Sequence, residues 1–307
     1  MGKEADDSLL AKLEQTRQAF LAVVDDVRPD LHRYCARMTG SVVDGEDVVQ
    51  DVLARAYYEL STLKEVPELK PWLFRIAHNR AIDHLRRYER RYGEPLDAEP
   101  GIADDAVTPE DAAVQEQALR AALTQFLGLP PVQRSAVVLK DVLDHSTVEI
   151  AALFDLSVPA VSAALHRGRT RLREFAMALA SEPNAPAGPV SPALARYAAL
   201  FNSRNWDGVR AMLADDVRLD LVAQWKRSGR RDVSDYFTNY ERLQGWCLVP
   251  GWLDGREVLA LQIGTEARPA YFIELEIALA GDRVLAIRDF RYVPYIGREA
   301  PFEVQLS

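Results

Sequence analysis

The chain has 307 residues, a formal net charge of −9 and 48% hydrophobic residues, which describes an ordinary soluble protein with room for two or three small domains. It contains no run of roughly 18 or more unbroken apolar residues, and it does not open with a basic start followed by an apolar run. These features argue against a membrane span and predict a cytoplasmic protein.

The cysteines and histidines show none of the spacings that hold metals. Cys35 and Cys247 lie far apart, and the five histidines form neither an HExxH motif nor a close cluster. We therefore expect two reduced thiols, no metal site and no cofactor.

Two segments divide the chain into modules. Residues 93–118 carry eight acidic residues without a Lys or Arg, and residues 181–192 contain four prolines. Both compositions are typical of linkers, the first solvated and the second extended. Three modules remain: the first helical module (15–92), the second helical module (119–180) and the C-terminal module (193–307).

The first two modules have the apolar spacing of helices. Residues three and four apart are apolar in Leu31–Met38, Val48–Leu60, Leu73–Leu85 and Val132–Leu143. Both modules are therefore predicted to be all-α.

The C-terminal module changes period and is predicted to be α+β. Helices are expected at Ala193–Phe201 and Asp207–Leu213 and near Asp232–Tyr240. Strands are expected at Val217–Val222, Val258–Ile263, Tyr271–Leu279 and Val284–Tyr292, with hairpin turns at Asp254-Gly255 and Gly281-Asp282.

The stretch PWLFRIAHNRAIDHLRRYERR, from Pro71 to Arg91, predicts a helix with two unlike faces. Leu73, Phe74, Ala77, Ala81, Leu85 and Tyr88 share one arc, whereas Trp72, Asn79 and five arginines share the opposite side. Arginines beside an aromatic ring suit single-stranded nucleic acid. A solvated helix whose arginines pair with Asp83 and Glu89 is the alternative.

A helix–turn–helix is predicted between Ser146 and Phe175. Ser146 and Glu149 have the spacing of a capping box, Asp155-Leu156-Ser157 forms the turn, and Ser157 can cap a second helix starting at Val158. The second helix ends in a basic tail suited to phosphates. Two-helix hairpins also occur in proteins that do not bind DNA, so this spacing alone leaves both interpretations open.

Together these motifs resemble the extracytoplasmic-function sigma factors, which direct bacterial RNA polymerase to promoters. The resemblance covers roughly residues 20–178 and follows the family order. It is carried by Asp44 to Leu53, by the PWLxRIAxNxxxDxLRR pattern from Pro71 to Arg87, by Leu129 to Arg134 and by Ser146 to Arg173.

The resemblance implies three interfaces and two macromolecular partners. The partners are core RNA polymerase, through the β′ clamp coiled coil and the β subunit, and promoter DNA. Core-polymerase binding falls on Asp47, Gln50, Asp51 and Leu53. Reading and melting of the minus-ten element falls on Trp72, Arg75, Asn79, Arg80, Asp83, Arg86 and Arg87. Binding of the minus-thirty-five element falls on Ser157, Pro159, Ala160, Ser162, Ala163, His166, Arg167 and Arg169.

Two departures from the family pattern affect the second helix of the helix–turn–helix. Its first turns hold Pro, Ala and Ser where family members often place Lys and Arg, so binding is expected to depend on phosphate contacts, Ser162 and DNA shape. Asp155 replaces the usual turn glycine, which is tolerable because Asp adopts the left-handed region more readily than most residues.

The C-terminal module resembles NTF2-like or SnoaL-like domains, a fold used by cyclases and isomerases and also by non-catalytic ligand-binding modules. We expect a non-enzymatic regulatory role with a small-molecule ligand. Catalysis would require a base among Asp220, Asp235, Asp254 and Asp289 to meet an acid such as Tyr236 or Tyr271. A stand-alone helix–turn–helix regulator with a ligand domain is the runner-up for the whole chain, and an isomerase or cyclase comes third.

Overall fold

The computed structural model describes residues 2–60, 67–92, 123–180, 188–241, 245–264, 268–278, 281–298 and 302–304. The predicted acidic linker, residues 181–187 of the second linker, Leu279 and the side chains of Tyr88 and Glu89 lie outside the described residues. The chain divides into two compact units, Met1–Pro183 and Asn184–Ser307. The first unit contains both helical modules, and the second contains the C-terminal module.

The described part of the first unit is all-α, as predicted. Its helices are α1 (Gly2–Thr39), α2 (Val42–Leu60), α3 (Leu69–Tyr92), α4 (Leu123–Leu127), α5 (Pro131–Val137), α6 (Thr147–Phe154) and α7 (Val158–Ala180), with a π-helical turn at Val138–Val142 between α5 and α6.

Close packing of α1 against α2 depends on Gly45. A Cβ atom at this position would lie 2.6 Å from the backbone nitrogen and Cα of Ala36, so the two helices approach more closely than any other residue would allow. The buried Glu46 next to it forms an ion pair with Arg28 of α1. The stretch that resembles the polymerase-binding motif therefore starts on a rigidly packed helix.

The helix–turn–helix forms as the capping signals predict. The Ser146 hydroxyl accepts from the Glu149 N–H at 3.2 Å, and a Glu149 carboxylate oxygen accepts from the Ser146 N–H at 2.7 Å, so the capping box is confirmed. Asp155 ends α6 in the left-handed region with φ 56°. The Ser157 hydroxyl then accepts from the Ala160 N–H at 3.3 Å and starts α7.

The second unit packs helices against a seven-stranded sheet, which confirms the α+β class. The helices are α8 (Pro192–Asn202), α9 (Trp206–Met212), α10 (Arg230–Ser234) and α11 (Thr238–Glu241), with 3-10 turns at Asp235–Phe237 and Pro294–Arg298. The strands are β1 (Leu213–Leu221), β2 (Trp225–Ser228), β3 (Trp246–Leu253), β4 (Arg256–Ile263), β5 (Tyr271–Ile277), β6 (Val284–Asp289) and β7 (Phe302–Val304). Their order is β2-β1-β6-β5-β4-β3-β7.

Pairing in the sheet is antiparallel except between β1 and β6, which run parallel. The predicted turn at Asp254-Gly255 joins β3 to β4 with positive φ at both residues, 52° and 73°, as a tight hairpin requires. The predicted helix near Asp232–Tyr240 is a succession of short helical turns from Arg230 to Glu241.

Strands β2, β3 and β7 were not predicted. The sequence of β3, WCLVPGWL, holds Pro250 and Gly251 in its centre, and both residues normally argue against a strand. Gly251 is required there because a Cβ atom would lie 2.3 Å from the Glu303 carbonyl oxygen of β7. The close approach of β7 thus explains a residue that misleads a pattern-based prediction.

Candidate functional site

The residues that the sequence assigns to core-polymerase binding lie along one helix, α2, but differ in exposure. Asp51 is exposed, Asp47 and Gln50 are half-buried, and Leu53 packs partly against the core. The Gln50 side-chain nitrogen is buried without a hydrogen-bond partner among the described residues. Asp51 is therefore the assigned group most accessible to another protein.

The basic face of α3 points to solvent. Five of the residues assigned to the minus-ten element are exposed: Arg75, Asn79, Asp83, Arg86 and Arg87. Leu73, Phe74, Ala77, Ala81 and Leu85 are buried on the opposite side, so the predicted two-faced helix is confirmed for these residues.

Two assigned residues of α3 are less accessible than the others. Trp72 is half-buried and packs against the core, and Arg80 is half-buried with its Nε buried. The tryptophan therefore borders the basic face and does not project from it. This difference arises because helical periodicity places Trp72 on the polar side but does not reveal what packs over that edge.

The assigned residues of α7 fall into two groups. Ser157, Pro159, Ala160 and His166 are exposed, whereas Ser162, Ala163, Arg167 and Arg169 are half-buried. The Ser162 hydroxyl donates to the Val158 carbonyl oxygen at 3.1 Å, a local bond that a base or phosphate could replace.

Arg169 has an internal partner. Its Nε and Nη2 donate to the two carboxylate oxygens of Asp141 at 3.0 and 2.6 Å, and Asp141 is 2% exposed. This two-point ion pair fixes α7 to the π-helical turn. A phosphate contact by Arg169 would compete with the buried carboxylate. No pattern in the sequence indicates this pairing.

The two helical modules pack directly against each other, and helices α1 and α3 of the first module both contribute to the contact. The ring centroids of His78 on α3 and Phe154 on α6 are 4.4 Å apart, and those of Phe74 and His145 are 5.3 Å apart. Helix α6, the first helix of the helix–turn–helix, thus covers part of α3.

A buried hydrogen-bonded triangle connects the modules. The Ser135 hydroxyl oxygen of α5 lies 3.0 Å from the Tyr34 hydroxyl oxygen of α1 and 3.0 Å from Nδ1 of His78. The Tyr34 hydroxyl oxygen lies 2.9 Å from the same Nδ1. Burial lowers the pKa of His78 to about 4, so its imidazole is neutral at pH 7 and Nδ1 can accept a hydrogen bond.

Arg134, next to this triangle, is fully buried and bridges the modules through carbonyl oxygens. Its guanidinium donates to the Met38 oxygen at the end of α1, and to the oxygens of Leu127 and Leu129 at 3.0 and 2.9 Å. Burial lowers the pKa of Arg134 to about 10. A buried cation that donates to three carbonyls costs desolvation that a purely apolar contact would avoid.

In the C-terminal unit, one of the four candidate bases meets a candidate acid. The buried Asp289 accepts from the Tyr236 hydroxyl at 2.5 Å and from the Tyr240 hydroxyl at 2.9 Å. Tyr271 reaches the group through Tyr240, with 2.9 Å between the hydroxyl oxygens. Burial raises the pKa of Asp289 above its ordinary value.

The other three candidate bases lie outside this cluster. Asp220 forms an ion pair with Lys226 at 3.0 Å, Asp235 is exposed, and Asp254 belongs to the β3–β4 turn. Tyr240 was not among the candidate acids, although its spacing of four residues from Tyr236 on a helical segment could have suggested it.

Among the described helices, no single one is long and apolar enough to cross a membrane. The pair Thr147–Phe154 and Val158–Met177 meets the length and composition test only jointly, across a bend of 106°.

Comparison with known proteins identifies the two helical modules. The family model for Sigma-70 region 2 matches residues 23–91, and that for Sigma-70, region 4 matches residues 119–172. The ECF RNA polymerase sigma factor SigW of Bacillus subtilis is 33% identical over 168 residues, which cover 52% of this chain and 89% of the relative.

Further relatives extend the match. The ECF RNA polymerase sigma factor SigG of Mycobacterium tuberculosis is 30% identical over 226 residues, covering 66% of this chain and 61% of the relative. Among solved structures, that of the extracytoplasmic function sigma factor SigJ of Mycobacterium tuberculosis is similar over 88% of this chain and 95% of that chain, with 21% identity and a TM-score of 0.35. The family models and the SigW match show that the chain belongs to the extracytoplasmic-function RNA polymerase sigma factors, which direct core polymerase to promoters, and its sigma regions precede an α+β domain.

Proposed function

We propose that α3 binds and melts the minus-ten element with its exposed face. The observation that carries this assignment is the solvent-facing row of Arg75, Asn79, Asp83, Arg86 and Arg87. Guanidinium groups can bind the phosphates of a separated strand and stack on its bases. Trp72, at the edge of this face, would support the first unpaired base.

The other two interfaces follow from the same arrangement. Asp47, Gln50, Asp51 and Leu53 on α2 would bind the β′ clamp coiled coil of core polymerase, and the second helical module would contact the β subunit. Helix α7 would lie against the minus-thirty-five element. Since its first turns carry no cation, Ser162 and phosphate contacts would provide most of the affinity, with DNA shape contributing to specificity.

Promoter binding on this account requires the two helical modules to separate. The two elements are centred roughly 25 base pairs apart, which is about 85 Å along the duplex. Helices α3 and α7, of 24 and 23 residues, are each about 35 Å long and belong to modules in direct contact. Residues 93–122 supply roughly 30 residues of connecting chain, enough to span about 100 Å when extended.

The C-terminal domain would act as a regulatory module that binds a small molecule and performs no catalysis. Asp289 supports this role and not that of a general base, because its carboxylate is fully buried and already accepts hydrogen bonds from two phenols and a backbone N–H. Removing residues 181–307 should therefore change the regulation of promoter-specific transcription. Unaltered activity and unaltered regulation would contradict this role.

Two sets of variants distinguish the interfaces. Asp47→Arg and Gln50→Ala should weaken co-purification with core polymerase. Arg80→Ala and Arg86→Ala should retain core binding but impair promoter opening, measured by run-off transcription and by the reactivity of unpaired thymines. Arg218→Ala, which removes an exposed arginine of the C-terminal unit, is the matched control.

The reverse pattern, in which α3 variants lose core binding and α2 variants lose promoter opening, would refute these assignments. A stand-alone regulator would instead bind duplex DNA tightly without polymerase, and that result would favour the runner-up interpretation.

A further inference from the structure

The C-terminal unit has an open cavity at the end of its sheet that lies away from the cluster of Asp289 and the tyrosines. The cavity has a volume of about 610 Å³, which is within the range of sites for small molecules. Leu275 and Ile277, near the end of β5, belong to its lining, whereas Tyr271 of the cluster begins this strand. Six residues of a strand span about 20 Å, so the cavity and the cluster are separate.

Part of the cavity lining is apolar. Leu275 and Ile277 are half-buried and pack against the hydrophobic core of the unit, and their remaining surface lines the cavity. Ala193, in the first turn of α8, and Ala278, just after β5, add small side chains. A hydrocarbon body that covers these residues would remove apolar surface from water.

The polar part of the lining contains one carboxylate without a cationic partner. Arg196 and Asp282 form an ion pair with each other. Glu257 accepts from the Ser191 N–H at 2.5 Å and from the Ser191 hydroxyl at 2.6 Å, but it forms no ion pair with a Lys or Arg of the described residues. Since the start of a helix carries only about half an elementary positive charge, the cavity keeps a net negative charge.

The remaining acceptor positions of Glu257 favour a cation. Each of its oxygens accepts one hydrogen bond from Ser191 and can accept a second. An ammonium group brings three N–H donors and a positive charge, whereas a carboxylate ligand would be repelled. A metal ion fits less well, because the described carboxylates here form no metal-binding group with other His, Cys, Asp or Glu side chains.

The cavity lies where the second linker, residues 181–192, enters the C-terminal unit. Glu257 of β4 holds Ser191, and Nε1 of Trp252 on β3 donates to the Gly188 carbonyl oxygen at 2.8 Å. Two strands thus fix the described end of the linker. A cation bound at Glu257 would act on the same carboxylate that holds Ser191.

We propose that this cavity binds a small organic amine, with the ammonium group at Glu257 and the apolar body on Leu275 and Ile277. The proposal names a site and a ligand class for the regulatory role proposed above, and it rests on that role only for its effect on transcription. Binding is measured on the free chain without polymerase or DNA, so the two proposals can fail separately.

The test is methyl NMR of the full chain labelled at its isoleucine methyl groups, because Ile277 lines the cavity. The probes 4-phenylbutylamine, 4-phenylbutanol and 4-phenylbutyrate share one apolar body and differ in charge. Each is titrated into the unaltered chain, Glu257→Gln and Glu276→Gln. The glutamine at position 257 keeps an acceptor for the Ser191 N–H. Glu276 is the matched control, since it is exposed on β5 and pairs with Arg218.

The amine should shift the Ile277 methyl resonance saturably with one molecule per chain, while the buried Ile150 of the first unit should not respond. The alcohol should bind about fivefold more weakly, and the butyrate should bind weakest. Glu257→Gln should lower the affinity for the amine about fivefold, to that of the alcohol, which is the effect of one partly exposed ion pair. Glu276→Gln should leave the affinity unchanged.

Ala193→Trp provides a second variant that fills the cavity and leaves Glu257 unaltered, so the test does not depend on the folding of Glu257→Gln. It should abolish the Ile277 shift with all three probes. No saturable Ile277 shift, an amine that binds no better than the alcohol, equal amine affinity in Glu257→Gln, or a shift retained in Ala193→Trp would each overturn the proposal.

The effect on transcription is measured separately. Saturating 4-phenylbutylamine should change promoter-specific transcription with the unaltered chain and not with Glu257→Gln. Binding at Ile277 without this change would support the amine site and contradict the regulatory role.

Discussion

Ser135→Ala tests whether the contact between the two helical modules limits polymerase binding. Ser135 is the member of the buried triangle that comes from the second helical module. Its removal deletes the two hydrogen bonds by which the triangle joins the modules and the weak 3.4 Å contact with the Met38 sulfur, whereas the other contacts between the modules remain. Tyr34 and His78 remain bonded to each other at 2.9 Å, so the substitution leaves no unpaired group behind. Each lost hydrogen bond is worth about 1 kcal/mol, which gives a total of about 1–2 kcal/mol.

This loss shifts the balance between packed and separated modules. A change of 1–2 kcal/mol corresponds to roughly a 5–30-fold change in the ratio of the two forms. If only the separated form binds core polymerase and promoter together, the apparent affinity should increase by the same factor. Ser135→Ala should therefore bind core polymerase more tightly than the unaltered chain does.

The assay is the fluorescence anisotropy of a labelled chain titrated with core polymerase. Ser203→Ala, which removes an exposed serine hydroxyl of the C-terminal unit, serves as the control and should leave the affinity unchanged. Thermal melting establishes that Ser135→Ala stays folded. A folded Ser135→Ala with unchanged or weaker polymerase affinity would refute the reasoning.

Three further predictions concern titration and packing. Burial lowers the pKa of His78 from 6.5 to about 4, so the contact between the two helical modules should be strongest above pH 6.5 and weaken by up to about 3 kcal/mol as the pH falls towards 4. Polymerase affinity should therefore rise when the pH is lowered from 7.5 to 5.5, and this rise should be absent in His78→Gln. Gly45→Ala should destabilise the first unit by about 1–3 kcal/mol in urea unfolding, whereas Gly188→Ala, where a Cβ atom meets nothing within 4 Å, should be neutral. Burial raises the pKa of Asp289 above 3.8, so its contribution to the stability of the C-terminal unit is lost as the pH rises. The free energy of unfolding of the unaltered chain, measured relative to that of Asp289→Asn, should therefore be larger at pH 4 than at pH 8. The same difference in free energy at both pH values would contradict this assignment.

Local signals in the sequence predicted the helices that carry the proposed interfaces. The capping residues Ser146 and Ser157 and the left-handed Asp155 set the helix–turn–helix because each acts on its own neighbours along the chain. The two faces of α3 follow from its period of 3.6 residues. Such signals show which side of a helix is buried but not what covers it.

The contacts between modules were out of reach for the same reason. Ser135 meets Tyr34 across 101 positions and His78 across 57, and each is an unremarkable residue in its own segment. The pairing of Arg169 with Asp141 likewise depends on how α7 lies against the π-helical turn. Periodicity contains no information on such pairs.

The sheet was predicted where alternation is strong, as in β5, and missed where Pro250 and Gly251 interrupt β3. The hydrogen-bonded cluster of Asp289, Tyr236, Tyr240 and Tyr271 depends on the topology of the sheet as well as on the strands. Asp289 and Tyr271 join one cluster because β5 and β6 are neighbours, with Ile273 opposite Asp289, and because the segment holding Tyr236 and Tyr240 lies over this part of the sheet.

The central claim is that this chain makes core RNA polymerase specific for a promoter. Its most direct test is transcription by purified core polymerase from a library of random DNA fragments, with and without the chain, followed by sequencing of the transcript starts. The account predicts transcript starts that appear only when the chain is present and whose upstream DNA shares one minus-ten and one minus-thirty-five sequence. These transcript starts should disappear when Arg86→Ala and Arg87→Ala are combined in the chain. The same starts with core polymerase alone, or none with the chain present, would contradict it.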